Sequence, residues 1–349
     1  MTRVFLRGIL VAFVAFTFTS TTTTCDAFVH HLRPSPRVTL GTELDSSRVP
    51  FFCSLHVNFP DDSGTFVCGC ALISPTVGAT AAHCVVKDAM RFTDARVRLY
   101  GSMFSSDALR LAPGAVAVHP EYGVGDPLAN DVAVFRLAEP LAVDLLPTIN
   151  RERSAWDALT SWDRLTVVGV GKTSNADTGA LSLGTPLYAH LSRRDCERPE
   201  NLFGEALLGW GTRAHLGDVC AGPYAPCRPD GTCADSCRGD SGGPLFAETG
   251  DGNVTLYGLV SRGNPECGLT GERGGRPGIY APTDEHWMFM TTVGETLDPR
   301  PPYLDPRPPY LESSRRRDDR SSGRATTTGR TIATSRALFV SVLALSFFS

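Results

Sequence analysis

Six consecutive residues, Gly239-Asp240-Ser241-Gly242-Gly243-Pro244, constrain this chain more than any other stretch. Glycine on both sides of a serine, closed by proline, is the composition of a sharp turn that lifts a hydroxyl clear of its own backbone, where only glycine lets a foreign carbonyl come close. A serine hydroxyl at its free pKa is a poor nucleophile. For this one to react, the fold has to bring it a histidine to take the proton and a carboxylate to orient that histidine. Two other frames offer them: His83 in Thr80-Ala81-Ala82-His83-Cys84, and Asp131 in Asn130-Asp131-Val132-Ala133-Val134.

In this order and with these flanking residues, His83, Asp131 and Ser241 give a chain that resembles the trypsin-like (chymotrypsin-fold) serine proteases. The resemblance implies an all-β fold of two six-stranded antiparallel β-barrels with the active site in the cleft between them. His83 and Asp131 then come from the first barrel and Ser241 from the second. It further implies a short C-terminal helix over 284–293 and a serine endopeptidase that uses no cofactor and no metal, while the composition beyond the helix reads as a disordered Pro/Arg-rich tail. Ser102 stands where calcium-binding relatives carry an acidic ligand, so no calcium site is expected. Short β-type runs at 51–57, 66–73, 97–100, 115–118, 131–137, 165–170, 187–191 and 256–260, between Gly, Pro, Asp and Asn, agree with barrels or sandwiches.

By the same resemblance the backbone N–H groups of Gly239 and Ser241 form the oxyanion hole. Asp235 lies at the base of the primary specificity pocket, where a carboxylate selects a substrate Lys or Arg. Ser261-Arg262-Gly263 matches the strand that binds substrate backbone, Pro277-Gly278-Ile279-Tyr280 matches the far wall, and Gly263 and Gly278 leave room for a long side chain. Arg262 replaces the family's usual tryptophan. With Arg238 at the rim, it is expected to favour acidic residues flanking the cleaved bond. The lengthened loop 268–276 is expected to restrict access by large proteins. A non-catalytic relative that only binds a partner is the competing class; the intact triad, the oxyanion glycines and the pocket aspartate count against it.

Eleven cysteines, many in spaced pairs, indicate an oxidising compartment. Arg3 and Arg7 before the apolar run 9–18, with Cys25-Asp26-Ala27 as a small-x-small site, read as a signal peptide over 1–27. Its removal takes Cys25 and leaves an even ten. Cys53 and Cys70 lie opposite one another if the hairpin 51–73 folds about Pro60-Asp61-Asp62-Ser63-Gly64. Cys227 and Cys233, six apart around a Pro-Asp-Gly turn, close a small loop, with a zinc site as the alternative. The resemblance supplies Cys68–Cys84, Cys196–Cys220 and Cys237–Cys267. It also identifies 28–37 as an activation propeptide, cut between Arg37 and Val38, whose new α-amino group pairs with Asp240; Leu40 stands where the family usually has glycine.

Residues 38–297 form the protease domain and hold 20 Lys+Arg against 31 Asp+Glu, whereas 298–349 hold 9 against 5. An acidic body speaks against nucleic acid and suits solubility or attraction of basic substrates. The expected partners are protein or peptide substrates with Arg or Lys at the cleaved bond, and protein inhibitors. Val168-Gly169-Val170-Gly171 resembles the family's Gly-Trp-Gly strand with valine for tryptophan. The spacer 298–336 opens with a tandem Asp-Pro-Arg-Pro-Pro-Tyr-Leu repeat, suited to an extended conformation. The last thirteen residues, 337–349, are mostly apolar and too short to span a bilayer. With Ser321-Ser322-Gly323 they resemble a glycosylphosphatidylinositol signal, and an unprocessed tail or a tail helix stays open. A secreted protein is expected, tethered to the cell surface where such an anchor is added. Asn253-Val254-Thr255 is an N-glycosylation sequon.

Overall fold

The computed structural model describes residues 38–299 apart from 62, 89, 101–107, 173–184, 197–213, 215–216, 264–266, 269, 272–273 and 276. The signal peptide, the propeptide, Ser102, the spacer beyond 299 and the segment 337–349 lie outside the described residues. So does most of the 268–276 loop beyond two short paired strands, Thr270–Gly271 and Gly274–Gly275.

The first lobe holds β1 (Phe52–Asn58), β2 (Thr65–Leu72), β3 (Val77–Thr80), β4 (Asp94–Leu99), β5 (Leu109–Leu111), β6 (Val116–Val118) and β7 (Ala133–Arg136). They pair antiparallel in the order β5-β4-β1-β2-β3-β7-β6. The second lobe holds β8 (Leu165–Gly169), β9 (Leu187–Arg194), β10 (Val219–Pro223), β11 (Pro244–Glu248), β12 (Val254–Arg262) and β13 (Gly278–Pro282). Their order β9-β8-β11-β12-β13-β10 returns to β9 through the β9–β10 pairing, so this sheet is a closed six-stranded barrel. The first sheet has seven strands and is a half-barrel: its end strands β5 and β6 do not pair among the described residues. Pro113-Gly114-Ala115 turns the chain between them. One helical segment closes the fold, Thr283–Met288 continuing through Phe289–Val293 to Gly294–Thr296.

Period-two burial accounts for the longer strands. In β9, Leu187, Ala189 and Leu191 point inward while Tyr188 and His190 are half-buried. β2 runs from an exposed end at Thr65 and Phe66 into the core at Cys68 to Leu72. β3 is glycine-bearing for a packing reason: a Cβ on Gly78 would lie 2.1 Å from the Phe135 ring. Phe51, Phe52, Leu55, Phe135 and their neighbours fill the first lobe, and Leu165, Val167, Leu191, Leu245 and Tyr280 the second. Each such side chain contributes roughly 1.5–3 kcal/mol on full burial. Across the seam, Phe51 meets Phe246 edge-on at 5.4 Å, and Leu256 and Leu259 join the first lobe's cluster.

Five disulfides join Cys53–Cys70, Cys68–Cys84, Cys196–Cys220, Cys227–Cys233 and Cys237–Cys267. Cys53 and Cys70 are direct partners in the β1–β2 register. Cys227 and Cys233 are spent on each other, which leaves no thiolate there for zinc. Closing the 16-residue separation of Cys68 and Cys84 is worth about 3 kcal/mol of unfolded-chain entropy.

Candidate active site

His83 sits on a single helical turn, Ala82–Cys84, directly after β3. The turn is pinned twice, by the Cys68–Cys84 disulfide and by the His83 backbone N–H donating to Asp131 Oδ1 at 3.0 Å. Asp131 enters from the loop before β7. Asn130 beside it has φ +51°, a left-handed conformation that asparagine tolerates better than most residues. The turn aims the aspartate inward, where its side chain is 1% exposed and Oδ2 lies 2.8 Å from His83 Nδ1. Ser261 of β12 donates its hydroxyl to the same Oδ2 at 2.6 Å. This second bond was not foreseen in the sequence, where a lone serine in an apolar strand carries no sign of its partner.

Burial alone would drive the Asp131 carboxyl upward, but the charge and hydrogen bond of His83 and the bonds from Ser261 and the His83 backbone outweigh it, and the net direction is down. His83 shows the mirror image. Burial depresses it, the charge and hydrogen bond of Asp131 raise it, Arg262 lowers it slightly, and the balance lies above the ordinary imidazole value. The pair therefore favours imidazolium beside carboxylate once a proton arrives.

Ser241 stands on a turn whose backbone is fixed on every side. Asp240 N–H bonds to Cys237 O at 2.9 Å, Gly243 N–H to Asp240 O at 2.8 Å, Gly242 N–H to Val260 O at 2.6 Å, and Gly69 N–H of β2 to Ser241 O at 2.7 Å. Gly239 and Gly242 have φ +96° and +79°. A Cβ on Gly242 would come within 2.1 Å of Thr80 Oγ1 and 2.8 Å of Ala81 N. Glycine at 242 thus lets the serine turn of the second lobe press against the strand that leads into His83. Cys84 Sγ, next to His83, lies 3.6 Å from Ser241 O.

Behind this turn are two more buried carboxylates. Asp240, fully buried, accepts the N–H of Gly171 and of Cys237, both at 2.7 Å. A Cβ on Gly169 would collide with it at 1.9 Å, so the glycine spacing of Val168-Gly169-Val170-Gly171 serves this close approach. Asp235 is 5% exposed and its Oδ1 has no hydrogen-bond partner. Burial pushes both carboxyls up to about 7, and each has no cation partner among the described residues. Gly263 and Gly278 face one another, a Cβ on the first lying 3.7 Å from the Cα of the second; a Cβ on Gly278 would reach 3.1 Å from the Tyr280 hydroxyl and 3.3 Å from Ser236 Oγ. Neither glycine puts a side chain into the space between them.

Val38 is fully buried in the second lobe's core. Thr39 next to it bridges Asp235 through bonds of 3.0 and 3.4 Å. Val38 and Leu40 have φ +63° and +55°, values that cost a side-chain-bearing residue roughly 1–2 kcal/mol each. Arg262, expected beside the pocket, turns inward: its side chain is 5% exposed and pairs with Asp218. Arg238 is exposed. Asn253 is exposed in the turn between β11 and β12, with its amide 2.6 Å from Asp251 Oδ2.

A family model described as Trypsin matches residues 41–288. Phenoloxidase-activating factor 1 of Holotrichia diomphalia is 31% identical over 240 residues, covering 62% of this chain and 58% of that protein. Serine proteinase stubble of Drosophila melanogaster is 32% identical over 241 residues, 66% of this chain and 28% of that one. Trypsin zeta of the same fly is 29% identical over 253 residues, 71% and 82%. The chain thus spans little more than half of the first relative and under a third of the second. A solved structure of HL collagenase, 18% identical, superposes with a TM-score of 0.54 over 75% of this chain and all of its own, which shows a common fold.

Proposed function

The chain belongs to the trypsin family, and on that premise we propose that it is a serine endopeptidase cutting after Arg or Lys, made as a zymogen activated between Arg37 and Val38. The hydrogen-bonded His83–Asp131 pair, standing beside the glycine turn that carries Ser241, is the observation that carries this reading.

In the proposed mechanism Ser241 Oγ attacks the peptide carbonyl while its proton passes to His83 Nε2. Asp131 holds the imidazole by Nδ1 and stabilises its charge. The oxyanion is met by the N–H groups of Gly239 and Ser241, where loss of one donor typically costs about 3 kcal/mol of barrier. His83 then returns the proton to the leaving amine as the C–N bond breaks, and water releases the acyl group by the same steps in reverse order. Because His83 has to be neutral to begin, activity rises as pH climbs through its pKa, which lies above the ordinary value.

Asp235 supports the Arg/Lys preference. A buried carboxylate with one oxygen unpaired gains most from a cation that brings its own hydrogen bonds, and in this reading glycine at 263 and 278 keeps side chains out of the slot a long substrate residue would enter. Asp240, buried with both oxygens on backbone N–H groups and no cation beside it among the described residues, supports activation. Cutting after Arg37 frees an α-amine on a residue already buried in the same lobe and relieves the backbone constraint on Val38. The free amine titrates near 7.7–8.0 and a carboxylate partner raises that value. Its stabilising contribution is therefore complete below that range and is lost as pH rises through the raised value, taking activity with it.

Five disulfides support an oxidising, extracellular setting. Among the described residues no helix is long and apolar enough to cross a membrane. Substrates are proteins or peptides, and protein inhibitors that present a basic residue would use the same slot. Glycosylation at Asn253 and a lipid anchor at the C-terminus complete the proposal; mass loss with an N-glycosidase and release by a phosphatidylinositol phospholipase test them. The catalytic assignment is tested by labelling with an arginyl phosphonate after cleavage at Arg37. An adduct on Ser241, absent from Ser241→Ala, is expected, and labelling that survives the substitution refutes the assignment.

A further inference from the structure

Arginine is rarely buried without a partner that explains it. Arg262, at the end of β12, has a side chain only 5% exposed and pairs through Nη2 with Asp218, itself 9% exposed. Its other terminal nitrogen, Nη1, donates to Ser261 Oγ at 3.2 Å. The Ser261 hydroxyl has one proton, which goes to Asp131 Oδ2 at 2.6 Å, so the bond from Arg262 occupies a lone pair of the same oxygen. Asp131 Oδ2 in turn meets His83 Nδ1. The result is an unbroken line of side chains, Asp218, Arg262, Ser261, Asp131 and His83. The backbone makes the line feasible. The β12–β13 register shifts between Val260 and Arg262, and such a bulge re-aims side chains, here bringing two neighbours in one strand to bond each other.

We propose that Arg262, held by Asp218, is a positioning residue for the His83–Asp131 pair, fixing the Ser261 hydroxyl on Asp131 and setting a cation against the charge that His83 acquires. This rests on the endopeptidase reading of the same site. A tryptophan, which the family usually carries at this position, has a single indole N–H and supplies neither the forked pair of donors nor the charge. Charged and titratable groups face the line along its length, and at its Asp218 end Arg153, Asp157, Arg193, Arg194, Asp195 and Glu285 line the same cleft. His83 feels Asp131 and Arg262; Asp131 is near Tyr122 and His286; His286 stacks on His119; and Asp218 is near Glu285, which Arg153 holds at 3.0 Å. Arg262 is the cation among them that acts on the imidazole, and it acts to lower its proton affinity.

The charge logic gives substitutions of opposite sign. Arg262→Gln removes the cation and leaves Asp218, so the acid limb of kcat/KM on an arginyl amide moves to higher pH, lowering the rate on that limb about threefold for a charge acting through partly hydrated protein. Asp218→Asn strips the cation of its counter-charge, so the limb moves to lower pH. Arg262→Lys keeps the charge but not the two-pronged geometry; it leaves the limb in place and lowers the plateau. These profiles are measured on the full chain cut after Arg37. In parallel, the imidazole of His83 is titrated by NMR in Ser241→Ala protein carrying each substitution, which needs no turnover. Limbs and titrations ordered Gln above wild type above Asn support the assignment. Coincident titrations, or Gln and Asn variants displaced in the same direction, overturn it. A wild type that does not cleave the amide, with the NMR order intact, removes the endopeptidase reading and keeps the positioning role.

Discussion

Asp131 in the seam and Asp235 in the second lobe are both buried aspartates in one molecule, yet their carboxyls are driven in opposite directions. Asp131 is supplied from within: a histidine, a serine hydroxyl and a backbone N–H hold its charge, and its pKa falls. Asp235 has a bare oxygen, a second buried acid nearby in Asp240, and a pKa pushed up to about 7. Burial is common to both, so the partner decides. The seam is complete as it stands, whereas the second lobe holds two buried carboxyls without a cation among the described residues, which in the proposed function are met by a substrate side chain at Asp235 and by a new chain terminus at Asp240.

The comparison breaks most visibly at Asp131. Asp131→Asn keeps the shape but loses the charge that orients imidazolium, and kcat on an arginyl amide is expected to fall by roughly 10⁴; a fall of less than about tenfold would place the acid outside the chemistry. Asp235→Asn is the next largest. Removing the counter-charge of a desolvated cation costs about 3–5 kcal/mol, so kcat/KM for arginyl substrates should drop by about 10² to 10⁴ while a neutral residue is handled no worse. The same change should raise the melting temperature of the uncut chain above pH 7, because an unsupported buried charge has gone.

A pH scan of the uncut precursor sharpens the contrast further. Both raised carboxyls ionise more readily in the unfolded chain, so stability should fall as pH rises from about 4 to about 7, by on the order of 4 kcal/mol for each group. Asp131 has the opposite sign, contributing stability above the unfolded carboxyl value that is lost on acidification. Calorimetry of wild type against Asp240→Asn separates the two, with the variant showing the shallower decline above pH 4. Smallest is Leu40→Gly. At φ +55° glycine relieves about 1 kcal/mol of backbone strain, read as a rise in the urea midpoint of the uncut chain.

Much of this was legible in the sequence because its signals are local. His83, Asp131 and Ser241 each sit in a short frame, and the expected strands match β1, β2, β6, β8, β9 and β12 closely. Strands β3, β10, β11 and β13 were harder to read, since Val-Gly-Ala-Thr, Val-Cys-Ala-Gly-Pro and Gly-Ile-Tyr-Ala-Pro are punctuated by the residues that normally mark turns. Gly78 is a strand residue only because the Phe135 ring lies over it. Pro244 opens β11, where its missing N–H is tolerated. The half-barrel of the first lobe is not legible in the sequence, since whether the end strands β5 and β6 pair is not a local property of either. Nor is the partner of Arg262: the position was recognisably odd, but Asp218 is 44 residues away in sequence, and only the closed barrel brings the two together. The expectation that Arg262 faces the substrate followed from treating a long polar side chain as solvated.

One measurement goes to the centre of the contrast between a charge satisfied from within and one awaiting a partner. The full chain, cut after Arg37, is given two amide substrates of nearly equal shape, one with arginine and one with citrulline at the cleaved bond. With Asp235 buried and without a cation partner among the described residues, kcat/KM is expected to be at least about 10²-fold higher for arginine, with the difference abolished in Asp235→Asn. Equal turnover of the two by the wild-type chain, or cleavage of neither, contradicts it.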